Sequence, residues 1–179
     1  MLISHIGPMF SGKTTALIND IELLELTGLD CIILTPAFDT RKEINKVITH
    51  DNKSVKAITI TDEADILTIA EKYEVIAFDE IQFFSMDIVN IIDKLIDSGK
   101  HVIVSGLDTD YKRKPFKITM YLSALSNRVI KHAGKCSKCN KESLFTYKLS
   151  ESTERFEVGS DDKYIPVCRD CYKGLKDCN

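Results

Sequence analysis

Short, almost wholly apolar runs punctuate the first two thirds of the chain: Leu2-Ile3 with Ile6, Cys31 to Thr35, Val75 to Phe78, and His101 to Ser105. Runs of this length without alternation predict strands buried on both faces, which is the signature of a parallel sheet. Between them apolar residues recur at helical spacing. Ala16, Leu17, Ile18, Ile21, Leu23, Leu24 and Leu26 predict a helix over 15–26. Ile66, Leu67, Ile69 and Ala70 form the stripe of a second, with Thr61 or Asp62 as its cap. Ile88, Val89, Ile91, Ile92, Leu95 and Ile96 give a third over 87–96, and Gly28 and Gly99 stand where helices should stop. Val55 to Ile60 alternate and read as a further strand, whereas residues 36–54 are polar, lack a period, and predict a long loop. Strands alternating with helices predict an α/β fold, a parallel sheet with helices on both faces.

The pattern changes near residue 134. The remainder is polar and punctuated by cysteines, so the chain divides into 1–133, an α/β domain, and 134–179, a small cysteine-bearing domain. Cys136-Ser-Lys-Cys139 and Cys168-Arg-Asp-Cys171 are two C-x-x-C knuckles. Four thiolates suit tetrahedral Zn²⁺ with no open position, hence a structural site. The long spacer predicts a β-hairpin between the knuckles, with Phe145 to Leu149 and Arg155 to Val158 as its strands. Of the two other cysteines, Cys31 falls in an apolar strand and reads as core, and Cys178 reads as a tail thiol.

Composition narrows the picture. Of 179 residues, 44% are hydrophobic and 28% charged, which is ordinary for a water-soluble chain. A net charge of −3 gives no argument for binding nucleic-acid backbone through a basic surface. No apolar run approaches the roughly 20 residues that span a bilayer. The N-terminal motif described next leaves no room for a cleaved leader, so a reducing cytoplasm is expected and zinc is favoured over disulfides.

Gly7-Pro-Met-Phe-Ser-Gly-Lys-Thr14 fits the phosphate-loop spacing G-x-x-x-x-G-K-S/T, between an apolar strand and a helix. Such a turn aims backbone N–H groups and a helix N-terminus at phosphate; Lys13 would meet the outer phosphates and the Thr14 hydroxyl Mg²⁺. Val75 to Phe78 end in Asp79-Glu80, as a Walker B strand does. Asp79 would hold Mg²⁺, and Glu80 could take a proton from an attacking hydroxyl or water. Together these predict a P-loop NTPase-like sheet that binds a nucleoside triphosphate.

Further stretches carry a resemblance. The phosphate loop, Asp79-Glu80-Ile-Gln82-Phe83-Phe84, Gly106-Leu107-Asp108 with Arg113-Lys114-Pro115-Phe116, Asp39-Thr40-Arg41, Thr49-His50-Asp51, and Gly159 with Asp162-Lys163-Tyr164 and Val167-Cys168-Arg169-x-Cys171 occur in the order seen in type II thymidine kinases. The chain resembles that thymidine kinase 1-like family over about residues 2–172.

The resemblance implies transfer of the ATP γ-phosphate to the 5′-hydroxyl of thymidine, with Mg²⁺ and a structural Zn²⁺. It implies Glu80 as general base, helped by Lys13 and Arg41. It implies ATP and phosphate binding by Gly7, Pro8, Met9, Phe10, Ser11, Gly12, Lys13, Thr14, Thr15 and Asp39, and Mg²⁺ at Thr14 and Asp79. Thymidine would lie against Met9, Phe83 or Phe84, Leu107, Tyr111 and Phe116, under a C-terminal lasso, Glu157, Val158, Gly159 and Tyr164, that binds largely through main-chain groups. A homotetramer and feedback inhibition by thymidine triphosphate are implied as well. The chain departs from the family at Ser160-Asp161, at Ile165-Pro166, and at Tyr111, where phenylalanine is common.

Residue pattern alone leaves other readings open. The phosphate loop and Asp79-Glu80 also suit a nucleotide switch or simple NTPase with a zinc ribbon, although no N-K-x-D element for guanine follows the last parallel strand. By pattern Phe83, Phe84, Tyr111 and Phe116 read as core, His5 as a satisfied core histidine, and Lys112-Arg113-Lys114 as a solvated run.

Overall fold

The structure is a computed structural model, described here for residues 1–37, 46–48, 54–149 and 163–177. In chain order the elements are β1 (Leu2–Gly7), α1 (Lys13–Glu25), β2 (Cys31–Pro36), β3 (Lys46–Ile48), β4 (Ser54–Ile60), α2 (Asp65–Ala70), β5 (Val75–Phe78), a 3-10 turn (Ile81–Phe83), α3 (Ile88–Asp97), β6 (His101–Leu107), α4 (Lys117–Leu125) and β7 (Arg128–Lys131). Then follow β8 (Gly134–Lys135), β9 (Glu142–Ser143), β10 (Phe145–Lys148), β11 (Tyr164–Val167) and α5 (Arg169–Asp177).

Among the described residues, seven strands form the main sheet in the order β3-β4-β2-β5-β6-β1-β7, parallel except for β3 at its edge. The apolar runs behave as their lack of alternation requires: all four residues of β5 are buried. Val75 and Ala77, with Ile33 and Ile103, face Leu17, Ile18 and Ile21 of α1. Ile76 and Phe78, with Leu34, Val102 and Val104, face Ile66 of α2, Ile88, Ile92 and Leu95 of α3, and Ile118 and Leu122 of α4. Helices thus cover both faces, as the pattern predicts. Each of these fully buried aliphatic side chains stabilises the fold by about 1.5–3 kcal/mol relative to exposure.

Several local expectations need correction. The stretch 36–54 is not all loop: β3 pairs antiparallel with β4, Val47 opposite Val55. A three-residue strand is too short to show a period. The helix expected from Thr61 begins at Asp65; the Asp62 carboxylate instead accepts the Ala64 N–H at 2.9 Å and caps a preceding turn. Among the described residues the partner of β10 is β11, with Phe145 opposite Val167 and Lys148 opposite Tyr164; Arg155 to Val158, expected as the second strand of the hairpin, lie outside the described residues. Cys31 is half-buried rather than fully in the core; its thiol donates to the Leu29 carbonyl, and burial pushes its pKa up to about 11. Cys178 lies outside the described residues.

His5 is a satisfied core histidine. It is 2% exposed, its Nδ1 lies 2.9 Å from His132 Nε2, and its Nε2 lies 3.0 Å from Asp20 Oδ2. The chain Asp20–His5–His132 ties α1 to the end of β7, directly behind the phosphate loop.

Candidate functional site

The phosphate loop follows β1 at the carboxyl edge of the sheet, where ligands of parallel sheets bind. Its first glycine is forced by packing. A Cβ on Gly7 would lie 2.4 Å from the His132 carbonyl oxygen, and its φ of 151° is one that other residues rarely adopt. Phe10 also has a left-handed backbone, φ 61°. Lys13 is buried, and its Nζ donates to the Pro8 carbonyl at 2.6 Å across the loop. Burial lowers its pKa, opposed by the nearby carboxylates of Glu80, Asp79 and Asp108.

β6 lies between β1 and β5, so Asp79 does not neighbour the phosphate-loop strand. The gap is bridged by side chains. Thr14 Oγ1 donates to Asp79 Oδ1 at 3.1 Å, and Ser105 Oγ on β6 donates to the same oxygen at 2.8 Å. Asp79 is 1% exposed, and a carboxylate so placed needs such donors. Carboxylate and hydroxyl oxygens together form the hard donor set that Mg²⁺ takes, so the residues fit that cation.

Glu80 follows with φ 55°, in the left-handed region that a glutamate rarely enters. The strained turn aims its carboxylate back toward the 3-10 turn, where Gln82 Nε2 donates to Glu80 Oε2 at 2.6 Å. Gln82 Oε1 in turn accepts the Leu107 N–H at 2.9 Å. Strain of this kind is held by its surroundings and clusters at functional sites.

The segment after β6 is a compact loop. Asp110 Oδ1 accepts the N–H groups of Lys112 and Lys114 at 3.0 and 2.8 Å, and Thr109 pairs with Pro115. Asp108 is paired with Lys131, Nζ to Oδ2 3.0 Å. Leu107 and Tyr111 are half-buried here and Phe116 is buried. Phe84 is 6% exposed and packs edge-on against Phe78 in the core, centroids 5.8 Å apart, whereas Phe83 is half-buried.

The two cysteine knuckles converge. The sulfur atoms of Cys136, Cys139, Cys168 and Cys171 all lie within 4.8 Å of one another. Against its burial, backbone N–H groups pull the Cys136 thiol down to about 6; the Cys171 N–H likewise lowers Cys168. The sulfurs of Cys139 and Cys168 push Cys171 up to about 12. Four thiols this close cannot all ionise alone, and a bound divalent cation relieves that conflict, so the cluster fits a tetrahedral metal. Its neighbours join it to the phosphate loop: the Met9 N–H donates to Thr146 Oγ1 on β10 at 3.0 Å.

The structure therefore brings Lys13, Thr14, Asp79 and Glu80 to one sheet edge, with Leu107 at the end of β6 and Tyr111 and Phe116 on the adjoining loop; Tyr164 is buried on β11. Asp39, Arg41, Glu157, Val158 and Gly159 lie outside the described residues. Ser105, Gln82 and Thr146 carry bonds that the sequence reading left unassigned. Ser105 had a signal, as a polar residue ending an apolar strand beside Asp79; Thr146 had none, because its contact is 137 residues away. Among the described residues no helix is long and apolar enough to cross a membrane.

Comparison with known proteins places this geometry. The family description "Thymidine kinase" matches residues 1–172. The chain is similar to a thymidine kinase of Pseudothermotoga lettingae, 36% identical over 97% of this chain and 95% of the relative. It is similar to a thymidine kinase of Vaccinia virus (strain Ankara), 39% identical over 94% of each, and to one of Mycoplasma mobile, 35% identical over 93% of this chain and 84% of the relative. With a family match over nearly its whole length and relatives this similar, the chain belongs to the thymidine kinase family.

Proposed function

We propose that the chain transfers the γ-phosphate of ATP to the 5′-hydroxyl of thymidine. The observation that carries the reading is the Glu80 carboxylate, held by Gln82 on a left-handed backbone beside the Thr14–Asp79 pair. An alcohol is a poor nucleophile, and a fixed carboxylate within hydrogen-bond reach removes its proton as the P–O bond forms. The phosphate-loop amides and Lys13 hold the transferred group and neutralise its charge. Thr14 and Asp79 hold Mg²⁺, which supplies charge neutralisation at the phosphates. Arg41 and Asp39 belong to the phosphate side of the site by resemblance. Leu107, Tyr111, Phe116 and Met9 offer an apolar wall suited to the thymine ring and its methyl group, with Phe83, rather than core-packed Phe84, as the aromatic nearer the pocket. By resemblance, Tyr164 and the main chain of Glu157 to Gly159 belong to the nucleoside side of the site.

The same proposal includes a structural Zn²⁺ on the four cysteines, the division of the chain at 133/134, a cytoplasmic homotetramer, and inhibition by thymidine triphosphate. A nucleotide switch is not favoured by a family of kinases. The test is transfer of labelled γ-phosphate to thymidine by zinc-loaded protein. Thymidine monophosphate should form, and Glu80→Gln should lower kcat by roughly 10²–10⁴-fold. Absence of transfer to any pyrimidine nucleoside would overturn the reading.

A further inference from the structure

The loop 108–116 is braced internally, but its tip is fastened elsewhere. Tyr172 Oη donates to the Tyr111 carbonyl at 2.7 Å. The Arg113 guanidinium lies 4.7 Å over the Tyr172 ring and 5.6 Å from that of Phe145. Lys148 Nζ lies 5.0 Å over the Tyr111 ring. All three anchors belong to the cysteine unit. Tyr172 follows Cys171 in α5, is 1% exposed, and its N–H bonds the Cys168 carbonyl at 2.9 Å. Phe145 and Tyr172 pack with Cys136, Val167 and Cys168 in one small core, ring centroids 5.8 Å apart. Arg113, which the sequence suggests is one of three solvated cations, is therefore half-buried. Its backbone has φ 63°, a conformation that a long side chain adopts only when its surroundings hold it there.

We propose that Tyr172 and Arg113 are positioning residues for nucleoside binding, a two-point clamp through which the metal knuckle sets the place of Tyr111 and the loop around it. The inference rests on the reading of Leu107, Tyr111 and Phe116 as walls of the nucleoside pocket. The hydrogen bond fixes the Tyr111 backbone, and the cation–π stack fixes the turn two residues on. Both contacts hold the loop after β6, on the nucleoside side of the site, so the clamp acts on nucleoside affinity. The cysteine unit thereby gains a role beyond its own folding: its α5 aligns the specificity loop.

Tyr172→Phe keeps the ring and deletes one hydrogen bond. Thymidine affinity, read by calorimetry and as KM, should fall roughly fivefold to tenfold, the worth of one such bond. The KM for ATP, kcat and zinc content should stay at the wild-type values. Amide exchange at 110–114, measured without substrate, should quicken. Arg113→Asn keeps a residue that tolerates the left-handed backbone and removes the stack on Tyr172 and Phe145 while leaving the apolar side chains of the small core in place; it should move the same readouts in the same direction. Unchanged exchange and unchanged thymidine affinity in both variants would overturn the clamp, as would an equal fall in thymidine and ATP affinity. Wild-type protein that fails to phosphorylate any nucleoside would sink the kinase reading instead, and the exchange at 110–114 would still decide whether the clamp exists.

Discussion

Gln82 holds Glu80: its Nε2 donates to one carboxylate oxygen at 2.6 Å while its Oε1 is tied down by the Leu107 N–H at 2.9 Å. The amide thus links the two ends of the site, the acid after β5 and the loop after β6. A carboxylate on a strained turn needs such a partner, because without it the side chain would sample other rotamers.

Gln82→Leu keeps the volume and removes both bonds. It leaves Glu80 unheld and the Leu107 N–H without its acceptor. The expected result is a fall in kcat of roughly tenfold or more, since small misplacements of a reacting group are expensive, with zinc content unchanged. Steady-state kinetics with thymidine varied would show it; a kcat equal to wild type would mean that Glu80 does not depend on Gln82.

Gly106 is placed to let that bond form. A Cβ there would meet Gln82 Oε1 at 2.5 Å and Ile81 Cγ2 at 2.6 Å. Gly106→Ala should therefore displace Gln82 and destabilise the fold by about 1–3 kcal/mol. Denaturant unfolding measures the stability and kcat reports the displacement. The control is alanine at Gly174, where nothing lies within 4 Å of an added Cβ.

The cysteine unit has a small core, centred on Cys136, Phe145, Val167, Cys168 and Tyr172. Among the described residues so few apolar side chains cannot hold this unit unaided, and metal binding should supply much of its folding energy. Chelation, or Cys168→Ser, should raise amide exchange through β8 to α5 while β5 and β6 stay protected. Elemental analysis should find one zinc per chain in the untreated protein. Retained protection of β10 and β11 after complete metal removal would contradict this.

Acid should loosen the layer behind the phosphate loop. Burial, with His5 and Lys13 nearby, lowers the pKa of His132 below its ordinary value of 6.5. The folded state therefore binds this proton less readily than the unfolded chain. The contribution is fully present above about pH 6.5 and is lost as pH falls from there through the folded pKa. Thermal melting between pH 7.5 and 5 should show a loss that His132→Gln reduces. A Tm that drops equally in both would assign the acid sensitivity to other groups.

Much of this architecture was legible in the residues because burial on two faces leaves a direct trace. Val75 to Phe78 are four apolar residues in a row, and all four are buried. The stripe Ile88, Ile92, Leu95 repeats at helical spacing and is the buried face of α3. α4 and β7 were not legible. Met120, Tyr121 and Leu125 on α4 are about half exposed, which blurs its stripe, and Val129 on β7 is exposed at 43%. At the site, motif spacing found Lys13, Thr14, Asp79 and Glu80 because each sits at the end of a strand or the start of a helix. The contacts of Thr146 with Met9 and of Tyr172 with Tyr111 join segments far apart in sequence, and no local pattern announces them.

The order of the strands also sets an order of birth. β1 precedes both of its partners in the chain by about a hundred residues or more: Leu2 pairs with Val102 and Ile3 with Arg128. A parallel strand has no hairpin partner to wait beside, and closing such distant pairings is slow. The phosphate loop consequently waits for strands that follow it: until β6 and β7 have been made, β1 is an unpaired apolar segment that the cell must keep from the wrong company.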